Sequence, residues 1–224
     1  MAKYRFSHIR MRDYAKLALG ATVAAAALGV NAAVNAEMAP SQDTAAVAPA
    51  EAGRHGEAKV NVTARQVVDL AKAQVGTSEN ASGGGTKFQQ WYADSPRATE
   101  TVQRDGGSRQ DYLNAAWCSM FVSWVGEESG ARSQVGWDAY TVAHAKWFAA
   151  NDRWGTEARP GAVVFFSWDG GKSLSDIQHV GFVVKDNGDG TISTVEGNTG
   201  NGKVEERVRP TSQVVGYGYP HYAV

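Results

Sequence analysis

The chain changes character at Pro160, and that switch limits the fold more than any overall composition does. Before it, apolar side chains recur at spacings of three and four, the repeat of a helix with one buried face. After it, short β-branched and aromatic runs are separated by glycine turns, the pattern of strands. Helices first and an antiparallel sheet second make an α+β domain.

Individual elements follow from local chemistry. Thr63 and Gln66 have the spacing of a capping box, with Val67, Leu70, Ala71 and Val75 inward behind it and Gly76 as the stop. Residues 77–87 read as a loop. Phe88, Trp91 and Tyr92 cluster on a short helix or turn, and the polar stretch 94–112 reads as loop. A helix is expected from about Ala115 to Glu128, with Trp117, Phe121, Trp124 and Val125 on one face, and another over 139–150. Gly161–Trp168 and His179–Lys185 are expected strands. Asn187-Gly188-Asp189-Gly190 is a hairpin turn, Thr191–Glu196 its return strand, and Gly216–Tyr219 a short last strand.

Residues 1–36 read as a secretory signal. Lys3, Arg5, Arg10, Arg12 and Lys16 form a basic start, Leu17–Val30 an apolar middle, and Val34-Asn35-Ala36 a cleavage site, with the cut after Ala36. The middle is short of the ~20 apolar residues that span a bilayer, so no membrane attachment is expected after processing. The product would be extracellular or associated with the cell wall. Residues 37–62, rich in Ala, Pro, Gly and Glu, read as a disordered linker, and 63–224 as one domain, expected to be monomeric. The whole chain has 22 basic and 23 acidic residues. Losing the signal removes five basic residues and one acid, Asp13, leaving an acidic protein. Bulk charge therefore gives no attraction to nucleic acid.

Cys118 is the one cysteine. Without an internal disulfide partner, in an exported protein it pairs with another molecule or is kept as a reactive thiol, the bland alternative being a small core residue. Near the start of its helix it would face unpaired backbone N–H groups and the positive end of the dipole. Those groups favour negative charge on sulfur and could hold an oxyanion. Folding the hairpin about Gly188 and Asp189 places His179 opposite Asn198 and Glu196 opposite Gly181. Glu196 is then diagonal to His179 on the same face, at a spacing of ~7–8 Å that long side chains bridge. A carboxylate that fixes one imidazole nitrogen leaves the other for proton transfer. His144, beside Trp147, reads as a packing or groove residue. With one cysteine and no His-x-x-x-His, no metal site is expected, and no phosphate-binding glycine loop is present.

Four ordered segments carry a resemblance. They are Trp117-Cys118-Ser-Met-Phe121-Val122-Ser123-Trp124-Val125, Pro160-Gly161-Ala-Val-Val-Phe-Phe166, His179-Val180-Gly181-Phe-Val-Val184 and Thr194-Val-Glu196-Gly197-Asn198-Thr199. Together they resemble the CHAP domain, the cysteine, histidine-dependent amidohydrolase/peptidase, over roughly residues 63–224. The stretches Gly76–Trp91 and His144–Phe148 also look similar to secreted actinobacterial and phage-lysin members. The resemblance implies a papain-like fold and hydrolysis of peptidoglycan amides, with no cofactor. It maps the nucleophile to Cys118, the base to His179, the orienting carboxylate to Glu196 and a supporting role to Asn198. Trp91, Trp117, Trp147 and Trp168 are candidate groove walls for glycan or peptide. The Asp-rich calcium loop of some members is not present here, so calcium dependence is not carried over, and no wall-binding repeat is read. A wall-binding module that keeps the fold without turnover is the alternative, and an acyl transferase would use the same residues.

Overall fold

The computed structural model describes residues 59–224. The expected signal, and the linker up to residue 58, lie outside the described residues. Among the described residues six α-helices come first: α1 (Ala64–Lys72), α2 (Lys87–Asp94), α3 (Pro96–Asp105), α4 (Cys118–Glu128), α5 (Arg132–Val135) and α6 (Thr141–Ala150). Six strands follow: β1 (Trp154–Gly155), β2 (Val163–Phe166), β3 (His179–Asp186), β4 (Thr191–Thr199), β5 (Lys203–Pro210) and β6 (Val214–Gly218). They form one sheet in the order β1-β6-β2-β3-β4-β5, with every pair antiparallel. Helices followed by an antiparallel sheet are the α+β arrangement read from the sequence.

The capping box at Thr63 and Gln66 is present, with both reciprocal bonds made. Val67 and Ala71 are buried as expected, but α1 ends at Lys72 and Val75, beyond it, is 47% exposed. The packed chain also starts before Thr63. Val62 is buried, and its carbonyl accepts a bond from Ala223 N–H.

Residues 94–112 are not a loop. Ser95 Oγ accepts from the Ala98 N–H and Pro96 occupies the first turn, so α3 has a well-made start. Only Ala98 and Thr101 of α3 are buried, which is why no apolar repeat betrays it. A 3₁₀ turn, Arg109–Asn114, then leads towards α4.

The sheet has two dressed faces. Val163, Phe165, Val180, Phe182 and Val195 point into the main core with α1, α4 and α6, while Val164, Phe166, Val183, Ile192 and Tyr217 form a smaller cluster. α4 is the central helix. Cys118, Ser119, Met120, Phe121, Val122, Ser123, Val125 and Gly126 are all buried, so it is covered nearly all round. Burying Met120 and Phe121 fully contributes about 1.5–3 kcal/mol each. Gly197 permits the close approach of β4, since a Cβ there would lie 2.6 Å from Phe121 Cβ. This contact sets the helix that begins with Cys118 against the strand that carries Glu196.

The strand β5 was not expected. Its sequence Lys-Val-Glu-Glu-Arg-Val-Arg-Pro alternates charge with valine, and it lies at the sheet edge, where charged side chains are tolerated.

Candidate active site

Cys118 is the first residue of α4. Trp117 is the N-cap and supplies no side-chain cap, so its side chain leaves the N–H groups of the first turn unclaimed. The approach to Cys118 is tied down on two sides. Gln89, fully buried, donates from Nε2 to the Ala115 carbonyl at 2.9 Å. The Trp117 Nε1–H donates to Glu79 Oε1 at 2.8 Å, and the Glu79 N–H in turn donates to the Gly202 carbonyl. Next to Cys118, Ser119 Oγ lies 2.8 Å from the Asp138 carbonyl and 2.9 Å from His144 Nδ1. His144 is fully buried, with Nε2 2.8 Å from the Val135 carbonyl. Burial pushes its pKa down despite that bond. It is a packing residue.

His179 opens β3 and is 5% exposed. Its Nε2 lies 2.9 Å from Glu196 Oε2, and Cys118 is near enough to help lift the imidazole's pKa. With Nε2 taken by the carboxylate, Nδ1 is the nitrogen left for sulfur. The structure thus brings Cys118, His179 and Glu196 into one neighbourhood, with the imidazole bonded to the carboxylate.

The register explains how. Phe182 pairs with Val195 and Val183 with Thr194, as a regular hairpin requires. The strands slip by one residue between Val183 and Lys185, on the turn side, so the irregularity leaves the site end untouched. Gly181 makes the diagonal approach possible. A Cβ there would sit 2.7 Å from Glu196 Cγ and 2.9 Å from the Val195 carbonyl. Gly181→Ala is expected to push β4 off β3 or displace Glu196, costing about 1–3 kcal/mol of stability. Thermal denaturation of the variant checks it; an unchanged midpoint would show that the strands have slack here.

Glu196 has no exposed surface. Besides His179, it accepts from Thr194 Oγ1 at 2.6 Å, from Arg209 Nε at 3.0 Å and from Arg209 Nη2 at 2.7 Å. Burial alone would push its pKa up. The bonds from His179 and Arg209 outweigh burial and hold it down at about 2. For His179, burial works against the charged form, but the hydrogen bonds and charges of Cys118 and Glu196 win and push it up to about 9. The site thus favours a charged imidazolium beside the Glu196 carboxylate.

Asn198 lies at an irregular point of β4. The β4–β5 register shifts between Glu196 and Thr199, and Asn198 adopts φ 54°, the left-handed conformation that asparagine tolerates. Among the described residues, no side-chain hydrogen bond joins Asn198 to the His179–Glu196 pair. Thr199 and Thr194 take part instead, Thr199 through a 3.0 Å bond from Arg209 Nη2.

The four tryptophans separate. Trp117 has no exposed surface and stacks on Phe88, so it is core and not a groove wall. Trp91 lies against Trp137 beside a depression with Glu127 and Arg132. Trp147 lines another with Arg97, Arg104 and Asp138, and the Arg153 guanidinium lies over its ring. Neither depression includes Cys118 or His179. Trp168 alone meets the site. It is 42% exposed, its ring centroid lies 5.3 Å from that of His179, and it stacks on Phe166.

The CHAP-domain family model matches residues 110–198, from the 3₁₀ turn before α4 through Asn198 of β4. That stretch is similar to the CHAP domain, and the α+β architecture is consistent with its papain-like fold. CHAP domains as a class are cysteine- and histidine-dependent amidohydrolases or peptidases connected with peptidoglycan. No curated protein and no solved structure matches the chain.

Proposed function

We infer that this protein is a secreted cysteine hydrolase that cuts an amide bond in peptidoglycan, either the bond between the sugar lactyl group and the first alanine or a peptide bond of the stem or bridge. One observation carries the reading: at a helix start a cysteine lies beside a histidine that is itself bonded to a buried, ionised carboxylate. Cys118 sulfur, with its proton on His179, attacks the carbonyl carbon. The resulting oxyanion is met by backbone N–H groups of the first turn of α4. The carbon–nitrogen bond breaks as the imidazolium gives its proton to the leaving amine. Water then adds to the thioester, its proton taken by His179, and the carboxylic acid leaves with the thiol restored. Trp168, exposed beside the imidazole, is the tryptophan placed to meet the substrate.

The test is mass spectrometry of purified peptidoglycan after incubation with the protein. New amino termini on stem peptides, or free stems without lactyl-linked sugar, are expected, with no new reducing sugar ends. Retention of the protein on the wall without any product would favour a binding module, and amine-capped products a transferase.

A further inference from the structure

Outside the matched stretch, β5 supplies the residue that grips the carboxylate. Arg209 offers Nε and Nη2 to the two oxygens of Glu196 in a fork, at 3.0 and 2.7 Å. The guanidinium is itself fixed. Nη2 also donates to Thr199 Oγ1, and the group lies 4.9 Å from the Trp168 ring and 6.0 Å from the Phe166 ring. Trp168 and Phe166 are the same rings that flank His179. The imidazole, the carboxylate and the guanidinium are thus packed through one shared aromatic wall.

We propose that Arg209 is a positioning residue of this site: it fixes the rotamer of Glu196 and shares its negative charge, so that His179 is oriented without owning the carboxylate alone. The proposal rests on the hydrolase reading for its kinetic consequences only. A carboxylate held by one histidine would swing about its last torsion, since that rotation is soft. A fork on two oxygens stops it, and Thr194 Oγ1 adds a third point. A guanidinium beside the carboxylate opposes the positive imidazolium, making His179 a readier proton donor to the leaving amine. Other charges near the pair are accounted for. Glu205 on β5, the register partner of Glu196, is paired with Arg207. From α4 comes Cys118, and from the segment before β3 comes Asp169, bonded by Gln178 Nε2.

Two variants separate geometry from charge. In Arg209→Gln both are lost. The His179 titration, followed by imidazole NMR, is expected to move up by about one pH unit. kcat is expected to fall about tenfold with little change in KM, because binding groups are untouched. In Arg209→Lys the charge stays while the fork is lost. The titration should return close to wild type while kcat stays low. An unmoved titration in Arg209→Gln overturns the charge role, and a loss confined to KM overturns the positioning role. Should Arg209→Gln fail to fold, wild-type kcat in Arg209→Lys would overturn the proposal. NMR needs no substrate, so a wild-type protein that releases nothing from peptidoglycan would end the hydrolase reading while the titration still decides on Arg209.

Discussion

Cys118→Ala abolishes release of new amino termini from peptidoglycan, by at least about 10⁴-fold, while circular dichroism stays that of the wild type. The size follows from the role: without sulfur there is no thioester, and neither His179 nor the α4 N–H groups supplies a nucleophile. The fold should survive because Cys118 is a small residue at the rim of the core, 5% exposed, and the change leaves only a small space beneath it. A second reading of the same variant needs no substrate. His179 is pushed up to about 9 partly by the nearness of Cys118. With alanine in place, only Glu196 remains to lift it against burial, so the imidazole should titrate lower than in the wild type. Equal product release by the variant would remove Cys118 from the chemistry. An unmoved His179 titration would show that sulfur and imidazole are not coupled.

How much of this was legible beforehand differs residue by residue. The His179–Glu196 contact was readable because a hairpin with a strong turn signal fixes which residues face one another, and the single slip in the ladder falls beyond the site. Cys118 at a helix start was readable from the apolar repeat that follows it. Asn198, expected opposite His179, sits where β4 departs from its regular pairing with β5 and the backbone turns left-handed, which no residue type announces. Arg209 was missed for a different reason. Its strand is an edge strand whose charged residues resemble a solvated loop, and what Arg209 meets is set by sheet order, not by its neighbours in sequence. The strand α4 packs on could be guessed; the strand beyond it could not. Trp117 and Trp168 carry the same side chain, and only burial tells the core residue from the one that reaches solvent. The start of α3 did leave a signal, Ser95-Pro96, but a helix with two buried residues shows no stripe to confirm it.

Glu196→Gln lowers stability by about 3–5 kcal/mol near pH 5.5, roughly 10 °C in Tm, because it leaves the Arg209 guanidinium and the His179 imidazolium in a buried place without their anion. The pH dependence gives this cost a signature. Glu196 is held at about 2 against an ordinary 4.5, so its contribution is complete above pH 4.5 and is lost as pH falls through 2. His179 is raised to about 9 from an ordinary 6.5, so its contribution is complete below pH 6.5 and is lost as pH rises through 9. The two shifts express one ion pair from its two ends and are not summed. The gap between wild type and variant is therefore widest between pH 4.5 and 6.5 and narrows on either side. On the alkaline side it does not close, because Arg209 stays charged and still needs Glu196 after the imidazole has lost its proton. Denaturant titrations of both proteins at several pH values measure the gap directly. A gap that stays constant from pH 5 to 9 would mean that Arg209 alone accounts for the stabilisation of the carboxylate, and that His179 is neutral throughout.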